Sequence, residues 1–276
     1  MRVKFGCPNT ELAILCSEQL LWPLRQAMPH ASLELLPISS TEERSYTREL
    51  EQALREGRID FALHALKDLP TTLPEDLPIV AYTRRADPRD CLVLAKGLKK
   101  PDLTRPIGCS SRRRQLELKT LWPTAILKPI HGDVSQQLAD LDAGLLGAVV
   151  LSAADLQLLQ QDARIHEIFS IDEILPAAGQ GILVIQACAG TDCTLLESVS
   201  DSESACCAAA ERAFVHALEG CSTSPAAAYA RIEDDLLILT GMYVSLDETD
   251  ICKADIIGQP EQAHVLGHTL AQHLKG

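Results

Sequence analysis

The sequence predicts an α/β fold, and two patterns predict it. Short β-rich apolar runs alternate with longer runs of helical period through the first two thirds of the chain. The last third changes to the order helix, three strands, helix, which reads as a smaller α/β domain with a three-stranded antiparallel sheet.

In order, residues 1–6 read as a strand, 10–28 as a helix and 33–38 as a second strand. Residues 47–56 form a helix with Leu50, Ala53 and Leu54 on one face and Gly57 suited to its C′ position. A buried-type strand over 59–66 runs into Lys67 and Asp68 and stops at Pro70. The polar stretch 84–90 is a crossover and a hinge candidate. A new unit starts at 91–95. Residues 107–109 lead through Ser110 and Ser111 into a helix over 112–121. Residues 147–151 are a strand, and Ser152 with Asp155 resembles a capping box opening the next helix. A turn over 177–181 precedes a strand over 182–187. The final part holds a helix over 204–218, strands over 226–232, 236–244 and 251–257, and a helix over 260–274 with Pro260 in its first turn.

The 276 residues are 46% hydrophobic but only 4% aromatic, so Ala, Leu, Val and Ile must build the core. A formal charge of -13 argues against nucleic acid as a partner, which needs a basic face. It leaves room for an anionic small molecule in a local basic pocket. The ten cysteines include no C-x-x-C pair, so no metal site is expected. The chain opens without a secretory leader, and no apolar run approaches the ~18 residues of a membrane span. A cytoplasmic protein with free thiols and no membrane partner is the expectation.

Four segments carry chemistry. Lys67 and Asp68 stand at the carboxyl end of a buried strand, where α/β folds bind ligands. Asp68 is suited to stabilising a developing cation or exchanging a proton, the alternative being a salt-bridged strand end. Arg112, Arg113 and Arg114 fall in the first turn of a helix, an end whose dipole disfavours cations. An anion held by free N–H groups and guanidinium forks explains them, and a solvated basic face is the rival. Gly179 and Gly181 flank Gln180 in a tight turn that permits close approach of a ligand or is simply a turn. Cys221 lies in a Gly/Ser/Thr/Pro loop just past a helix end, an exposed thiol with or without a function. His264 and His268 are four apart on the last helix, but no third ligand is evident, so they read as a surface face.

In order and spacing these segments resemble the hydroxymethylbilane synthase (porphobilinogen deaminase) family over nearly the whole chain. LHALKDLP is similar to the family's V-H-S-M-K-D-V-P, and IGCSSRRRQLEL to I-G-T-S-S-L-R-R-Q-x-Q-L. LPAAGQGILVIQ and AERAFVHALEGCSTSPAAAYA match two further family motifs. The resemblance implies two domains like those of periplasmic binding proteins plus an α/β domain bearing a cofactor cysteine. The implied boundaries are 1–84 with 178–198, then 88–175, then 200–276. It implies a monomeric transferase that joins four porphobilinogen molecules head to tail, releasing ammonia, on a dipyrromethane primer held by Cys221. Asp68 would be the catalytic carboxylate, with Lys67 beside it. Lys67, Ser111, Arg113, Arg114 and Arg164 would bind the acetate and propionate groups, Gln180 would line the same cleft, and Thr10 and His131 would be further substrate-binding residues.

The chain departs from the family pattern at several points. Pro8, His131 and Gln137 stand where the family has arginines. About a dozen residues are missing before Tyr46. Counted from Glu219, Cys221 falls one residue early, and counted back from Pro225, Ser222 takes its place. These departures define the rival expectation, a weakened or inactive module binding a pyrrole or another small acid on the same fold.

Overall fold

The structure is a computed structural model that describes residues 2–40, 46–218, 225–245, 248 and 250–276. The first lobe holds strands β1 (Arg2–Pro8), β2 (Ser32–Ile38), β3 (Phe61–Ala65) and β4 (Ile79–Tyr82), with helices α1 (Glu11–Ala27) and α2 (Tyr46–Arg55). The second holds β5 (Asp90–Leu94), β6 (Ile107–Cys109), α3 (Arg112–Leu121), β7 (Leu127–Pro129), α4 (Val134–Asp142), β8 (Ala148–Ser152), α5 (Ala153–Leu158) and β9 (Ile165–Ile168). The chain then returns as β10 (Leu183–Gln186) to the first sheet, whose order is β2-β1-β3-β10-β4. The second sheet has the order β7-β6-β8-β5-β9. The third lobe is α6 (Ser202–Ala217), the antiparallel meander β11 (Ala227–Glu233), β12 (Leu236–Val244), β13 (Ile251–Gly258), and α7 (Ala263–Lys275).

Each sheet has its own core. Phe5 and Phe61 stack at 5.1 Å between ring centres beneath α1. In the second sheet the pleat sends Cys91 and Val93 to one apolar cluster and Leu92 and Leu94 to another. Both faces are therefore covered, and β5 is a continuous apolar run after Asp90. In the third lobe, Phe214 and Leu270 cover Leu237 and Leu239.

The predicted crossover at 84–90 is one of two adjacent crossings. Thr83 N–H donates to the Leu183 carbonyl (2.9 Å) and Ala86 N–H to the Gly181 carbonyl (2.9 Å), so outgoing and returning chains are paired. Glu211 of α6 ties both to the third lobe. It accepts from Arg85 Nη2, Gly179 N and Ala230 N, each at 2.7 Å. The short strands β4, β7 and β9 and the helix α4 are additions to what the sequence pattern indicated, and the tail helix begins as a 3-10 turn at Pro260–Gln262.

Candidate active site

β3 ends in a 3-10 turn, Leu66–Asp68. Leu66 and Leu69 are buried and anchor it, which leaves Lys67 to reach the second lobe and Asp68 exposed. Leu66 N–H donates to the Ile182 carbonyl (2.9 Å). Gly179 packs against the turn at φ 76°, and a Cβ there would lie 2.6 Å from Leu66 Cγ. The close approach that these glycines permit is thus to the turn carrying Lys67 and Asp68.

Asp68 is open to solvent. Surrounding protein nonetheless pushes its carboxyl above the usual range; Lys67 opposes this shift and Asp155 adds to it. Lys67 Nζ donates to Asp155 Oδ2 at 3.1 Å. Burial works against the ammonium, but Asp155 and Asp68 outweigh it and hold Lys67 above its ordinary value.

The three arginines of α3 find carboxylates within the protein. Ser111 is the N-cap residue in extended conformation, and its hydroxyl makes no capping bond. Arg112 pairs with Glu248 of the third lobe. Arg113 and Arg114 turn inward onto one acid, Asp90, each through Nη2 at 2.7 Å. Gln180 Nε2 joins them on Asp90 Oδ1 at 2.9 Å and also reaches the Pro88 carbonyl (2.6 Å). Burial alone would push the Asp90 carboxyl up, but Arg113 and Arg114 overcome that and hold it well below the usual range. Arg113 also bonds the Leu175 carbonyl, and it meets Glu117 at 3.3 Å. Glu117 in turn accepts from Leu175 N (2.8 Å) and pairs with Lys253 of β13 at 2.9 Å. Arg113, Arg114 and Gln180 thus converge, but around an internal carboxylate. The Nε atoms of both arginines are buried with no hydrogen-bond partner.

Lys67, Arg113 and Ser111 border an open cavity with Arg212, Val215 and Ala226 from the third lobe, so all three lobes contribute walls. Arg212 donates from Nη2 to the carbonyls of Pro70 (2.7 Å) and Thr71 (3.0 Å). Among the described residues no carboxylate pairs with it, and burial lowers its pKa. Sequence reasoning missed Arg212, Asp90 and Asp155 as site residues. Arg212 sat in a quoted motif, and Asp90 closed the hinge segment. From sequence Asp155 reads only as part of a capping box, whose Ser152 Oγ does accept from Asp155 N (3.4 Å).

Other expected residues lie elsewhere or do other work. Arg164 does not reach the cavity. Its guanidinium pairs with Asp142 at the carboxyl end of α4 (2.7 Å) and donates to the Leu94 carbonyl (3.4 Å), at the far end of β5 from Asp90. A cation beside a helix carboxyl end is in its favoured place, which accounts for the position. Thr10 caps α1, its Oγ1 accepting from Ala13 N (3.3 Å). Pro8 ends β1 opposite Ile38, and His131 is exposed. Gln137 is buried, donates to the Gly132 carbonyl (2.8 Å) and leaves Oε1 without a partner. Cys221 and Ser222 lie outside the described residues. Their segment joins Val215 to Ala226, both on the cavity wall. His264 packs on His268 (4.6 Å between ring centres), with His216 of α6 at 6.4 Å. Among the described residues no three ligand-type side chains are placed to hold a metal ion, and no helix is long and apolar enough to cross a membrane.

Residues 33–195 match the family model described as porphobilinogen deaminase, dipyromethane cofactor binding domain, and residues 205–276 match its C-terminal domain. A porphobilinogen deaminase of Alkaliphilus oremlandii is 39% identical, covering 100% of this chain and 97% of its own length. One from Acetivibrio thermocellus is 36% identical, covering 100% and 99%, and one from a Nostoc species 33%, covering 99% and 91%. Among solved structures, the effector-binding domain of a BenM variant superposes with a TM-score of 0.45 at 16% identity, covering 72% of this chain and 90% of that one. At that level strand order, not superposition, carries the fold.

Proposed function

The chain belongs to the porphobilinogen deaminase family, and from that premise we propose that it is a hydroxymethylbilane synthase, joining four porphobilinogen molecules head to tail with release of ammonia in tetrapyrrole biosynthesis. The observation that carries the reading is the cavity where Lys67, Arg113 and Arg212 converge from three lobes close to Asp68. An acidic pyrrole needs cations for its carboxylates and one anion for the charge that develops on its ring nitrogen. The cavity wall offers the cations, and Asp68, next to Lys67 in the same turn, offers the anion.

The residues present fit a dipyrromethane. The Nε atoms of Arg113 and Arg114 are buried donors without acceptors, Arg212 has no carboxylate partner among the described residues, and Val215 and Ala226, which flank Cys221 in the sequence, line the cavity. When bound through Cys221, the group supplies the terminal pyrrole carbon to which each new unit is joined. Lys67, Ser111, Arg113 and Arg212 hold acetate and propionate groups in this reading. Asp68, raised in pKa yet next to Lys67, stabilises positive charge on a pyrrole nitrogen and exchanges its proton. Arg114 and Gln180 act one step back, through Asp90, to fix Arg113.

The three lobes serve as the domains 1–84 with 178–198, 88–175 and 200–276, because each sheet with its own core falls within one of them. We also read the protein as a cytoplasmic monomer. Nine described cysteines are free thiols, as a reducing compartment favours. The test is the intact mass of freshly purified protein with mapping of the peptide holding Cys221. Two linked pyrrole units on Cys221, and ammonia release on adding porphobilinogen, are expected. An unmodified chain that releases no ammonia would overturn the enzyme reading.

A further inference from the structure

Lys67 and Asp155 are 88 positions apart and belong to different lobes. Their ion pair spans the cleft at 3.1 Å with side chains 23% and 22% exposed. The first lobe's Lys67 therefore meets a carboxylate of the second lobe, Asp155. We propose that Asp155 is a latch that occupies Lys67 and holds the two lobes together, and that a carboxylate of the incoming substrate takes its place. The proposal rests on the acidic-pyrrole reading for the identity of the displacing group.

Three observations support exchange over a fixed strut. The pair is partly open to water, so a soluble carboxylate has a route to Lys67. Asp155 is not stranded when Lys67 leaves it, because Arg114 lies within electrostatic reach. Away from the Gln180 bonds to Asp90 and Pro88 at the crossover, Ser135 Oγ donates across to Glu11 at 2.9 Å, and that contact is exposed. Such a contact holds little against water. Lys67 and Asp155 form a charged tie across the cleft, away from the crossover. An ammonium can rotate among acceptors with no fixed fork to break, unlike the guanidiniums on Asp90.

Asp155→Asn removes the competing charge and keeps the shape. It should lower the KM for porphobilinogen by about threefold to tenfold, the span of a partly buried ion pair. Asp155→Glu should return KM toward the wild-type value. A strut would behave differently, since its loss raises KM or lowers kcat. The second readout needs no turnover. In ligand-free protein, amide hydrogen exchange at residues 66–69 and 152–158 should quicken in Asp155→Asn. Faster exchange without any porphobilinogen turnover in the wild type would leave the latch standing and remove the substrate assignment. Unchanged exchange overturns the latch, and an unchanged or raised KM in Asp155→Asn overturns the competition.

Discussion

Asp90→Asn tests whether the buried acid organises the arginine side of the cleft. The wild-type carboxylate is 0% exposed and accepts Arg113 and Arg114 at 2.7 Å each and Gln180 at 2.9 Å. Asparagine keeps one acceptor and turns an NH2 group toward a guanidinium. Arg113 retains Glu117 at 3.3 Å, while Arg114 keeps only the Val150 carbonyl at 3.4 Å. Breaking one partner out of a buried pair typically costs ~3–5 kcal/mol, a large part of the ~5–15 kcal/mol that holds a domain folded. Urea unfolding followed by Trp122 fluorescence reports on this lobe, since Trp122 packs edge-on against Phe169. Arg114→Met in the Asp90→Asn background should cost less than the two single changes added together, by about 1 kcal/mol or more. The pH dependence fixes the sign. Asp90 has a folded-state pKa below its unfolded one, so its stabilisation is complete above the ordinary carboxylate range and is lost as pH falls through the folded value. The gap between wild type and Asp90→Asn should be full at neutral pH and close only in strong acid. A loss under about 1 kcal/mol at neutral pH, or a gap that survives into strong acid, would refute the reasoning.

Asp68→Asn should cut ammonia release from porphobilinogen by about 10²–10⁴-fold. It should also make the folded protein more stable at neutral pH, because a carboxyl with raised pKa weakens the fold once it ionises; unfolding midpoints check this. The acid limb of kcat/KM should lie above the ordinary aspartate value, and Lys67→Met should move it higher still, since Lys67 is the group holding Asp68 down. Arg212→Met should raise the KM for porphobilinogen about tenfold or more, the worth of one charge-assisted carboxylate contact, with circular dichroism unchanged. Gly179→Ala forces a side chain into φ 76° and against Leu66, costing about 1–3 kcal/mol. It should lower turnover by shifting the Lys67–Asp68 turn, which a thermal melt and an initial-rate assay together will show.

Much of the fold was legible because it rests on local pattern. The period of α2, the apolar run of β5 and the Pro70 stop are properties of neighbouring residues. The strands β4, β7 and β9 were not legible, since three or four residues at or near a sheet edge carry no periodicity to detect. At the site, the oddity of three cations at a helix start was readable, but its resolution was not. The sequence pattern called for a free anion, and Asp90 and Glu248 meet that demand from 23 and 136 positions away. The same holds for Lys67 and Asp155. Arg164 is a further case, a basic residue whose partner, Asp142, stands 22 positions away at the carboxyl end of a helix.

The position of β10 has a consequence for how the chain is made. It lies between β3 and β4 in the first sheet, yet residue 183 leaves the ribosome long after residue 82. At ~5–20 residues per second, the intervening stretch takes roughly 5–20 s to synthesise. Throughout that interval the β3 edge lacks its neighbour, and β4 has nothing to pair with. The nascent amino-terminal half must therefore wait, with a strand-sized gap in its sheet, while the second lobe is synthesised in full. An exposed strand edge is a template for pairing with other chains. Misassembly is thus most to be feared during translation, before Leu183–Gln186 arrives to close the gap.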